Sequence, residues 1–77
     1  MNAIKVDAVK RDVQQLRESY NATMAKCDAK WRAAAMEPNP VRRARLESQA
    51  HELTYAARVC AGAHERALSA LKSLEGE

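Results

Sequence analysis

The chain has 77 residues, enough for one small domain spanning 1–77 but not for a large core. Two glycines, two prolines and no phenylalanine, set among abundant Ala, Leu, Glu, Lys, Arg and Gln, exclude a sheet-rich fold and point to an all-α protein. The net charge of +3 is modest, and two cysteines 33 positions apart, Cys27 and Cys60, form neither a CxxC pair nor a metal-ligand cluster.

The opening segment "MNAIKVDAVKRDV" carries charge in every turn, so it does not read as a secretory signal. No stretch approaches the run of about 18 apolar residues that a membrane span needs. A cytoplasmic protein with reduced thiols and no membrane contact is expected.

Val6, Val9, Val13, Leu16, Tyr20, Met24, Cys27, Trp31 and Ala34 follow one another in steps of three and four. This is one apolar stripe on a long helix of about residues 3–36, with Asn2 as its N-cap. The stripe ends at "MEPNP". Pro38 disfavours helical geometry at Glu37, and Asn39 is a good N-cap for a new helix in which Pro40 takes the first position. A turn at 37–39 therefore separates two helices, and so short a connection makes them antiparallel neighbours.

From Leu46 to Leu74 a second stripe runs through Ala50, Leu53, Ala57, Cys60, His64, Ala67 and Leu71. It predicts a second helix over about 40–75, with Gly76 as its C-cap glycine. Two coiled-coil-like arms of roughly 34 residues, each about 50 Å long, thus form an antiparallel two-helix hairpin. Folding about the turn places residue i opposite residue 77 − i, so that Cys27 faces Ala50, Trp31 faces Leu46 and Tyr20 faces Ala57. Cys27 and Cys60 then lie roughly 15 Å apart along the axis, beyond disulfide reach.

Each helix carries more apolar surface than one partner covers. On the first, Ala22, Ala25, Ala29, Ala33 and Met36 lie opposite the seam, where alanine also serves helix propensity alone. On the second, Ala56, Val59, Gly62, Ala63 and Ala70 flank the seam. Val59 and Gly62 do not serve helix propensity, and a glycine in a helix interior costs about 1 kcal/mol. These five residues are the expected partner-binding set, and the hairpin is expected to be completed by a helical protein partner or by self-association.

Six of the 13 basic residues and three of the 10 acidic ones fall between Lys26 and Glu47, which leaves seven of each elsewhere. The whole net charge sits at the turn end, where Arg42, Arg43 and Arg45 are candidate anion-binding residues. A solvated helix start is the plainer explanation, since no aromatic interleaving and no DNA-binding motif accompany them. His64 in the seam and His51 on the polar side lack the spacing of metal ligands, and both glycines are isolated, so no phosphate loop is present. No catalytic residue, cofactor or metal is expected, and the chain reads as a non-enzyme.

The proline-bounded hairpin resembles the small proteins of bacterial type III secretion. "PNP" at Pro38–Pro40 is one residue short of the PxxP-like turn of the needle subunits, and "LESQAHELTYAARVCAG", Leu46–Gly62, is similar to the second helix of the needle co-chaperones. That resemblance implies a protein that binds a partner chaperone and keeps a polymerising subunit soluble, with the second helix as contact element. Two other classes fit the same sequence. One is a small phage or mobile-element protein that binds and inhibits a host protein. The other is a nucleic-acid-binding module using the basic turn end.

Overall fold

In the computed structural model, which describes residues 2–76, the chain forms helix α1 over Asn2–Met36 and helix α2 over Pro40–Glu75. The two run antiparallel along one seam, as an all-α hairpin 58 Å long and 14 × 12 Å in cross-section. The predicted boundaries are met to within about one residue. The N-cap expected at Asn2 falls on a side chain outside the described ones.

The turn is built as the sequence dictates. Asn39 is extended, at φ −80° and ψ 119°, and its side-chain oxygen accepts from Val41 N at 2.9 Å and Arg42 N at 3.2 Å. Two donors that the first turn of α2 would leave orphaned are thereby satisfied. The Asn39 carbonyl accepts the first helical bond, from Arg43 N. Arg43 also reaches back across the turn, donating from Nε and Nη2 to the Glu37 carbonyl at 3.1 and 3.0 Å. One of the carbonyls left open by the end of α1 is closed by a charged side chain of α2. At the far end Gly76 donates its N–H to Lys72 O at 2.9 Å, but with φ −75° it keeps right-handed helical geometry. The left-handed freedom of a glycine cap is not used there.

Seam packing follows the two stripes. Cys27, Ala34, Ala50 and Ala57 are buried, and the larger stripe residues, from Val6 to Met24 and from Leu46 to Leu74, are half-buried. The expected pairing is met where Cys27 contacts the Ala50 carbonyl and where Trp31 shares a groove with Glu47, the neighbour of Leu46. Side chains also reach further from the turn. Cys27 touches Thr54, Trp31 packs on His51, and Tyr20 shares a groove with Ala61 and His64, about one helical turn beyond the expected partners. Part of the cause is side-chain direction. Cα–Cβ bonds tilt toward a helix N-terminus, which is away from the turn on α1 and toward it on α2. Side chains that touch across an antiparallel seam therefore belong to backbone positions about two residues apart in level.

A polar contact lies within the seam. Cys27 Sγ lies 3.5 Å from the Ala50 carbonyl, to which it donates, and 3.2 Å from Thr54 Oγ1. Thr54 Oγ1 in turn donates to the same carbonyl at 3.0 Å. Trp31, expected as a core anchor, is 39 % exposed. It sits at the seam edge with its ring perpendicular to that of His51, centroids 5.0 Å apart.

Four fully buried residues, all small, make a thin core. A compact monomer of 8.6 kDa exposes about 4,700 Å². The hairpin exposes 5937 Å². Its radius of gyration, 17.3 Å, compares with about 11.5 Å for a globular chain of this length. Two helices alone leave the excess, about 1,200 Å², in water.

Candidate docking face

At about 100° per residue, residues in alternate steps of three and four fall on one line of a helix. Besides the seam, α2 carries a second such line, from Gln49 through Ala56, Ala63 and Ala70 to Leu74. The two share Leu53, Cys60, Ala67 and Leu74, and these four are half-buried, covered by α1 on one side only. Helix α1 carries a matching line, from Ala8 through Asp12, Ser19, Ala22 and Lys26 to Ala33, exposed along its whole length. Asp12, Gln15 and Ser19 line a common shallow groove with Ala67, which puts both lines on one broad side of the hairpin. Ten of the sixteen side chains on that side are Ala, Ser or Cys, so another helix could approach closely along much of it.

Of the five residues expected to bind a partner, Ala56, Ala63 and Ala70 lie on this side, Ala63 half-buried and the other two exposed. Val59, 53 % exposed, is turned further from the seam. Gly62 is half-buried in the middle of α2. A Cβ built on it would meet Arg66 Nη1 at 3.5 Å, an ordinary contact, and its φ is not positive. Nothing inside the hairpin requires a glycine there.

On the opposite side a half-open groove of about 280 Å³ is lined by Arg17, Tyr20, Asn21, Ala61, His64 and Glu65. His64 Nε2 is buried and has no hydrogen-bond partner among the described residues. Among the described residues no three His, Cys, Asp or Glu side chains are grouped as a metal site would require.

The three turn arginines are unequal. Arg42 and Arg45 are exposed, whereas Arg43 is engaged with the Glu37 carbonyl and is a structural part of the turn. No local sequence signal marks this difference, since the contact spans the proline turn and depends on where the helix axes cross. Both cysteines are free thiols, Cys27 buried and Cys60 half-buried at the edge of the small-residue side. No helix of the described residues is long and apolar enough to cross a membrane.

Comparison with protein-family models, with curated proteins and with solved structures finds no match to this chain.

Proposed function

We propose that this chain is a non-enzymatic protein-binding module, a hairpin that docks a further helical element along the α2 face of Ala56, Val59, Gly62, Ala63 and Ala70. The observation that carries the reading is the imbalance between core and surface. No large side chain is fully buried, while about 1,200 Å² more surface is exposed than a compact chain of 8.6 kDa would leave. A specific interface of ordinary size removes about 800 Å² from each partner, so one docked helical element could account for most of that excess. Gly62 supports the same reading, because it costs helix stability and serves no contact within the hairpin.

A narrower form of the proposal is a co-chaperone that keeps a helical secretion subunit soluble. It rests on the resemblance of Leu46–Gly62 to the second helix of the needle co-chaperones. The basic turn end is a weaker candidate for the principal site, because Arg43 is already engaged in the turn.

The test is Ala63→Arg. Arginine is a good helix former, so circular dichroism should show the helicity retained. The tagged variant should lose the complex that the parent captures, because the docked state would bury a charge without a partner. Capture as tight as the parent's would place Ala63 in solvent and overturn the proposal.

A further inference from the structure

We infer that the element docked on this face is a second copy of the same chain, packed antiparallel to the first as a four-helix bundle, α1 on α1 and α2 on α2. The inference rests on the docking reading above and names its partner. When two identical faces meet about a two-fold axis that crosses the long axis of the hairpin, each helix meets its own copy running the other way. Each face must then be complementary to its own reversal.

Each line carries pairs that meet this condition. On α1, Asp12 and Lys26 are each seven residues from Ser19. An axis at Ser19 therefore brings Asp12 of each copy against Lys26 of the other, twice, and opposes no like charges along the line. On α2, an axis between Ala61 and Gly62 sets Leu53 against Ala70, a large side chain against a small one, and alanine against alanine at positions 56 and 67.

The hairpin register joins the two observations. Cys27 reaches both the Ala50 carbonyl and Thr54, and with the tilt of the side chains allowed for, residue 19 stands level with about residue 60. The two centres thus lie within about two residues, roughly 3 Å, of each other along the hairpin. The same arrangement sends the two basic turn ends to opposite ends of a body about 58 Å long, several Debye lengths apart. A parallel pair would set them side by side. The area agrees as well, since an excess of about 1,200 Å² per chain exceeds the roughly 800 Å² that each partner of a stable dimer buries.

The experiment is sedimentation equilibrium on the full chain from micromolar to sub-millimolar concentration, with circular dichroism to confirm helicity. The parent should reach twice 8.6 kDa. Asp12→Lys and Lys26→Asp should each weaken the dimer roughly tenfold, since each sets like charges together twice, and the double variant should restore it. A helical parent that stays monomeric throughout overturns the inference. So does a dimer indifferent to both charge reversals, which would be parallel or on another face. A monomer that still captures a different protein through Ala63 removes the second copy and leaves the docking reading standing. A dimer unaffected by Ala63→Arg removes both.

Discussion

Replacing Gly62 with alanine separates what the hairpin needs from what its partner needs. A methyl group at this position meets only Arg66 Nη1, at 3.5 Å, so the isolated hairpin accommodates it without strain. Gly62 lies well inside α2, which spans Pro40–Glu75. The exchange should therefore stabilise the hairpin by about 1 kcal/mol, the propensity difference between the two residues in a helix interior. For a domain of this size that is a rise in melting temperature of roughly 4–8 °C. The measurement belongs in an Ala63→Arg background, where the chain is held monomeric and unfolding is not coupled to dissociation. Gly62 points about 100° round the helix from Ala63, so in the parent background the same methyl presses on a docked helix where that helix crosses at Gly62 rather than along the Ala56–Ala70 line. Overpacking of about 1–3 kcal/mol should then weaken association roughly five- to a hundredfold. Urea unfolding followed by far-UV circular dichroism gives the first number, and sedimentation gives the second. Loss of stability in the monomeric background would show that the glycine serves the hairpin itself. Unchanged or tighter association would show that no helix crosses at Gly62.

Asn39→Ala should cost about 1 kcal/mol of stability in chemical denaturation, because two backbone donors of α2 lose their acceptor. Among the turn arginines, Arg43→Gln should cost about 1 kcal/mol, since a charged donor pair to the Glu37 carbonyl is lost, whereas Arg42→Gln and Arg45→Gln should each change stability by less than about 0.5 kcal/mol. His64→Leu should stabilise the hairpin by about 1 kcal/mol in the same assay, since a buried nitrogen without a partner is replaced by an apolar side chain.

The turn was legible because proline and asparagine act locally. Pro38, Asn39 and Pro40 each have one good place at a helix boundary, and the three together allow one geometry. The seam was legible from its period, as were Ala50, Ala57 and Cys27 as its centre. Counting residues from the turn found Cys27 against Ala50 but missed the contacts one turn further along, in part because it treats side chains as if they stood level with their own Cα atoms. Contacts that cross the seam obliquely escaped for the same reason. Thr54 lies off the stripe yet bonds to Cys27, His51 lies on the polar side yet packs against Trp31, and Arg43 reaches over the prolines to α1. For the docking face, the flank on α2 was visible as excess apolar surface. That α1 adds a matching line on the same side required the three-dimensional arrangement, seen where Asp12 and Ser19 meet Ala67.

The unmodified chain carries its own probe of whether this side is covered. Cys60 sits half-buried at its edge, while Cys27 is buried in the seam beside Ala50 and Thr54. The rate of alkylation of Cys60, followed by peptide mass analysis from micromolar to sub-millimolar protein, measures the coverage directly, with Ala63→Arg as the uncovered reference. If the face docks a second copy, Cys60 of the parent becomes slower to react as concentration rises, while in Ala63→Arg its rate stays constant. A parent whose Cys60 reacts as fast as the variant's at every concentration would contradict the account.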